Sequence, residues 1–329
     1  MWRAACLMVL ALPVMASAMT LRISTLYPEG TSVVTALKAA SDTIEKQTEG
    51  RVSLRIFPGG VMGDDRAVQR KISIGQLHGA LAQGGAFSRF YRDSQILNLP
   101  IAFRSYEEVD HVRKTLDPLI RDGFRDNGWV VFGPVDGGFA YVMSQKKVDS
   151  VAALREQKLW LPANDSGSEK AARVFGVSPI MLSVGTVLTS LQTGAIDAFA
   201  APPVAALTLQ WHSRVKHMTE VPLLYTYGML GISDKYFSKL SPADQQVVQQ
   251  VLSEAFAKMD SDSRAENLQA FAAIQQQLNL VAPSEEQLAE WRSYADKATT
   301  QLVAEGEISQ MMLDRLQSLL GEVRNGSGG

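Results

Sequence analysis

Leu21-Arg22-Ile23-Ser24-Thr25-Leu26, stopped by Tyr27-Pro28-Glu29-Gly30, is the stretch that decides the fold class of this chain. The first six residues have the composition of a buried strand, and the Pro/Gly pair after them ends it. Thr31 or Ser32 can cap a following helix whose apolar face carries Val34, Leu37, Ala40 and Ile44. Residues 52–57 alternate as a second strand, closed by Pro58-Gly59-Gly60. A helix is expected over 64–74 and a strand over 78–83. This β-α-β-α-β rhythm predicts a mostly parallel sheet with helices on both faces.

Working outward, 129–133 and 139–144 read as two strands separated by the turn Asp136-Gly137-Gly138. A second unit follows, with strands at 158–161, 178–182 and 195–199 and helices at 168–175 and 184–193. Residues 229–233 bring the chain back to the first unit. Ser241-Pro242-Ala243-Asp244 is a strong helix start, and no Pro or Gly interrupts the chain from there to Gln277. A run of that length measures about 50 Å at the helical rise, long enough to lie across two lobes. Two helices broken near Ser261-Asp262-Ser263 are the alternative. Further helices are expected at 285–304 and 308–323, before a flexible tail at 325–329.

The chain has 329 residues, 46% hydrophobic and 20% charged, which describes an ordinary globular protein of about two domains. A net charge of −2 gives no basis for nucleic-acid binding. Arg3, the apolar run 4–14 and Ala16-Ser17-Ala18 predict a cleaved secretion signal over 1–18, hence a periplasmic protein. Its loss would remove Arg3 and Cys6, leaving a charge of −3 and no cysteine. Disulfides, thiol catalysis and cysteine-ligated metals are then excluded.

Signals for catalysis are weak. His78, His111, His212 and His217 have no metal-ligand spacing, since the last pair is five residues apart. Asp64-Asp65 reads as helix capping, and Gly84-Gly85 lacks the pattern of a nucleotide loop. The sequence predicts no enzyme, no cofactor and no metal. Tyr27 to Thr31 and Gln83 to Phe87 end strands at one sheet edge, where open α/β sheets bind ligands. Trp160, Phe199 and Ala201-Pro202-Pro203 end strands of the second unit and should face them.

Several segments together resemble the substrate-binding proteins of TRAP (tripartite ATP-independent periplasmic) transporters. They are Thr48-Glu49-Gly50-Arg51-Val52 with Pro58-Gly59-Gly60-Val61-Met62-Gly63, Leu99-Pro100-Ile101-Ala102-Phe103 with Glu107, and Leu191-Gln192-Thr193-Gly194-Ala195-Ile196-Asp197. The resemblance implies an α/β, two-lobed periplasmic solute-binding fold with discontinuous lobes and a long bridging helix. One lobe would comprise 19–143 with 230–258, the other 144–229 with 259–324. It also implies closure over a small molecule and delivery to TRAP membrane permease subunits.

The departures matter most. In Gln157-Lys158-Leu159-Trp160-Leu161-Pro162, Trp160 stands where the family usually places an arginine that grips a carboxylate. An indole has one N–H donor, no charge and a large apolar face. Asp197 is followed by Ala198-Phe199-Ala200-Ala201-Pro202 where acid-binding members typically carry polar groups, and Gly138-Phe139-Ala140-Tyr141-Val142 is apolar as well. A carboxylate buried there would lose hydration at a cost of several kcal/mol. An apolar ligand would gain about 25 cal/mol per Å² buried. The expected ligand is therefore hydrophobic or uncharged. Trp160, Phe199, Tyr141, Trp211, Ala201 and Pro202 would form its walls, and Tyr27 and Gln83 would orient any polar end. The alternatives are a small organic acid held by a different arginine, such as Arg104, and a periplasmic docking protein for a helical-repeat partner.

Overall fold

A computed structural model describes residues 18–163 and 165–326. The expected signal segment, up to residue 17, lies outside the described residues, as do 327–329. The chain runs β1 (Met19–Thr25), α1 (Ser32–Gln47), β2 (Val52–Phe57), α2 (Asp65–Ser73), β3 (Gly79–Gln83), α3 (Tyr106–Asp126) and β4 (Trp129–Ser144). It continues through α4 (Val151–Arg155), β5 (Leu159–Pro162), α5 (Ser166–Val174), β6 (Ile180–Leu182), α6 (Val187–Thr193), β7 (Ala198–Ala201), α7 (Pro203–Thr208), β8 (His217–Thr219) and β9 (Leu224–Ser233). The last elements are α8 (Asp234–Phe237), α9 (Pro242–Gln275), β10 (Asn279–Val281), α10 (Glu285–Ala304) and α11 (Gln310–Gly326).

The fold is two-lobed α/β. The first lobe's strands β2, β1 and β3 are parallel, and the second lobe's β6, β5 and β7 are parallel. Antiparallel β9 and β4 join the two sets into one path, β2-β1-β3-β9-β4-β7-β5-β6. Leu21 and Ile23 of β1 share one core cluster with Leu37, Ala40 and Ile44 of the α1 stripe, as their spacing predicts, and Val34 is buried as well. Thr31 precedes α1 but makes no side-chain cap; its hydroxyl donates to the Pro28 carbonyl instead. The expected turn at Asp136-Gly137-Gly138 is a register shift inside the single strand β4. Gly138 there has φ +82°, and a Cβ would lie 2.5 Å from the Asn267 side chain, so glycine is required on both counts.

Helix α9 is unbroken over 34 residues. Ser241 caps it by accepting from the Asp244 N–H at 3.1 Å, with Pro242 at the first position. Its buried face changes along its length. Val248, Leu252, Phe256 and Met259 pack in the first lobe, Ser263 and Asn267 follow, and Ile274 packs in the second. Polar burial thus coincides with the crossing between lobes.

Two C-terminal assignments change. Helix α11 packs on α3, with Met312, Leu316 and Leu320 in a first-lobe cluster, and not on the second-lobe elements with which the sequence grouped it. Asn325 and Gly326, expected in the flexible tail, are the last residues of that helix.

Candidate ligand-binding site

The carboxyl ends of β1 and β3 in the first lobe and of β5, β6 and β7 in the second are the edges where such sheets receive ligands. The lobes meet there. A Cβ on Gly85, just past β3, would lie 3.8 Å from Asp165 Oδ1, just past β5. A Cβ on Gly167 would come within 2.5 Å of Gln95 Oε1.

The second lobe presents an aromatic face behind this seam. Strand register pairs Trp160 with Phe199 and Ile180, Phe199 with Met143, and Tyr141 with Ala201, so period-two alternation puts these side chains on one side of the sheet. Trp211, from the 3-10 turn Trp211–Arg214, packs edge-on against Trp160 at 5.0 Å and Phe199 at 5.3 Å between ring centroids. Trp160 is 3% exposed, Phe199 0% and Trp211 3%. The Trp160 indole N–H donates to the Leu182 carbonyl at 2.9 Å. Tyr141 is less buried; its ring lies 5.1 Å from Phe271 of α9, and burial, then Glu220, pushes its hydroxyl up to about 12.

Five of the expected residues, Trp160, Phe199, Trp211, Tyr141 and Ala201, therefore share one cluster. Pro202 precedes α7 at the end of β7. Tyr27 and Gln83 belong to the first lobe. Gln83 is exposed at the end of β3, and the Tyr27 hydroxyl sits over Gly228, where a Cβ would be 3.1 Å away. Burial first and Asp136 second raise the Tyr27 pKa.

Sequence reasoning missed the polar network at the crossing, because the reading of Asp136-Gly137-Gly138 as a turn concealed a buried carboxylate. Asp136 accepts from Tyr225 Oη at 3.0 Å and from Arg264 Nε and Nη2 at 3.2 and 3.1 Å. Its own N–H donates to Asp260 at 2.7 Å, and Asp260 also binds both terminal nitrogens of Arg113 at 3.0 Å. Arg113 reaches Asp117 at 3.1 Å, and Arg264 reaches Asp110 at 2.5 Å. Burial alone would lower the Arg113 pKa, but Tyr225, Asp117 and Asp260 raise it. These two partly buried arginines are thus committed to carboxylates of α3, β4 and α9. Arg104 is exposed, and its guanidinium pKa is lowered by burial and then by Arg324 and Arg292, which places it beside α10 and α11.

Across the seam, Asp65 at the start of α2 is pushed up to about 6 by burial, then by Asp165 and Asp64. Burial also raises Asp165, against the Ser168 hydrogen bonds that lower it. Three of the histidines have structural partners. His78 stacks on Tyr236 at 4.2 Å, His111 pairs with Glu322 at 2.8 Å, and His212 Nδ1 lies 3.0 Å from the Ala206 carbonyl. Among the described residues no group of three His, Cys, Asp or Glu could hold a metal. No described helix is long and apolar enough to cross a membrane. The 770 Å³ groove beside Arg292 and Asp296 is lined by α10 alone, an open helix face away from the strand edges.

Comparison with known proteins follows the same lines. The profile of bacterial extracellular solute-binding proteins, family 7 (DctP), matches residues 23–305. The sialic acid-binding periplasmic protein SiaP of Vibrio cholerae is 24% identical over 241 residues, covering 72% of this chain and 74% of that one. A TRAP periplasmic solute binding protein from Xanthobacter autotrophicus Py2, with bound beta-D-galacturonate, superposes with a TM-score of 0.81 at 16% identity, over 92% of this chain and 99% of that one. One from Sulfurospirillum deleyianum, with bound succinate, gives 0.81 at 18% identity over the same shares. At such identities the superpositions speak for the fold alone.

Proposed function

The chain belongs to the bacterial extracellular solute-binding proteins of family 7, the periplasmic receptors of TRAP transporters, and from that premise we propose that it captures an uncharged, largely apolar ligand between its lobes. Its family is one of transport receptors and not of enzymes. TRAP permease subunits are the partners to which such a receptor delivers its small molecule.

One observation carries the ligand class. Trp160 replaces the arginine that the family resemblance places there, and its indole lies in the second-lobe core with its N–H bonded to Leu182. An acid at that edge would find no arginine on β5 and the carboxyls of Asp165 and Asp65 close to the seam. Removing a carboxylate from water without a cation costs several kcal/mol, whereas apolar surface gains from the same burial.

The acids named for related proteins, galacturonate and succinate among them, favour a second reading in which this chain also takes a small organic acid. That reading requires a cation, and the two arginines at the crossing, Arg113 and Arg264, are held by Asp260 and Asp136. A docking role with a helical-repeat protein would need a broad apolar face. The exposed apolar side chains Val61, Ile74, Leu268 and Met311 sit on different elements.

Thermal-shift titration separates the two ligand readings. Medium-chain alcohols and neutral aromatic compounds should raise the melting temperature, while succinate and galacturonate leave it unchanged. Stabilisation by the acids alone would overturn the proposal.

A further inference from the structure

The α10–α11 elbow crosses back between the lobes. The start of α10 belongs to the second lobe, where Trp291, Ala295 and Ala298 share a cluster with Ala171 of α5 and Phe175 just past it. Its end belongs to the first: Leu302 and Ile308 lie in the cluster built on α3. Asp93 of the first lobe fixes the elbow by accepting from Ser309 N–H at 2.6 Å and Oγ at 2.8 Å. Glu305 and Glu307 therefore move with the first lobe, whereas Lys170, on α5, moves with the second.

Three contacts meet at that seam. Lys170 Nζ binds Glu305 Oε2 at 2.7 Å and also binds Glu307 Oε1. Gln95, only 6% exposed, donates from Nε2 to the Glu307 carbonyl at 3.0 Å. Its Oε1 occupies the space that a Cβ on Gly167 would need, 2.5 Å away. Gly167 has an ordinary helical backbone at the first turn of α5, so its φ does not demand glycine; the absence of a side chain lets α5 reach Gln95. Contacts made only when two bodies are together shift the balance toward the closed form.

We infer that Lys170, Gln95 and Gly167 form a latch that holds the lobes closed, acting as positioning residues. The latch rests on the closing-receptor reading but is independent of what the ligand is. A single exposed ion pair is a weak hold, so loss of Lys170 should change the closed-to-open ratio by roughly threefold. A side chain at residue 167 should do more, because it displaces Gln95 and blocks contact directly.

Pulsed dipolar EPR on the full chain, without ligand, tests this. Spin labels at Val61→Cys and Thr186→Cys, in a Cys6→Ser background, sit on exposed residues that follow β2 and β6 and so flank the seam. The parent should show a short-distance population. Lys170→Met and Gly167→Val should transfer much of it to a longer distance while the melting temperature holds. Lys170→Glu should also open the protein, and adding Glu307→Lys should restore part of the short population. A parent with only the long distance, or variants with the parent's distribution, would overturn the latch. A protein that responds in this way but binds no apolar compound would lose the ligand reading and keep the latch.

Discussion

Trp160→Ala puts the buried reading of Trp160 under direct strain. The side chain is 3% exposed, meets Trp211 edge-on at 5.0 Å, and shares a cluster with Met143, Val187, Leu191 and Phe199. Truncating a buried tryptophan costs about 3–5 kcal/mol through lost transfer energy and the cavity left behind. The hydrogen bond adds little, because the Leu182 carbonyl keeps the Ala163 N–H at 3.1 Å and is not orphaned. With an unfolding entropy of about 0.6 kcal/mol per degree for a chain of this size, the melting temperature should fall by about 5–8 °C. Urea unfolding followed by circular dichroism measures the same loss independently. A change below about 1 kcal/mol would mean that the indole faces open space between the lobes and is not lobe core.

Two further perturbations address the crossing and the seam. Arg264→Met deprives Asp136, whose side chain is fully buried, of its ion pair and leaves it to neutral donors such as Tyr225 and Asn267. Breaking such a pair costs about 3–5 kcal/mol, so calorimetry should show a large drop, and a near-neutral result would refute the network's role. Asp65 has a folded pKa of about 6 against an ordinary value of 3.8. A raised carboxyl penalises the fold above pH 6 and ceases to do so below about 4, so stability falls as pH rises through that window. Before solvent screening the penalty is up to about 3 kcal/mol. Asp65→Asn should stabilise the protein at pH 8 and make no difference near pH 4; equal effects at both would contradict the assignment.

Local signals made much of the fold legible. The alternation in β2, the stripe of α1 and the Ser241-Pro242 start of α9 are short-range patterns, and each appears close to where its residues place it. Strand β4 was not legible as one element, because Gly137 and Gly138 carry turn chemistry while their need arises from Thr226 and Asn267, remote in sequence. The three-residue strands β8 and β10 are too short to show a period. The same limit applies to the site. Trp160 and Phe199 could be singled out by their strand-end positions, and register joins them. Whether an aromatic there faces a ligand or a core depends on Trp211, some 50 residues on, and no local pattern encodes that packing. Phe271, Gln95 and Asp165 were overlooked because they matter only through the elements that α9 and the elbow bring beside them.

Native mass spectrometry of the receptor purified from the periplasm tests the central claim, that Trp160 marks a receptor for an apolar or uncharged ligand. The account predicts a bound mass that extracts into organic solvent, carries no carboxylate and is lost in Trp160→Arg. A bound organic acid, retained in the parent and released when Arg113 or Arg264 is replaced, would contradict it.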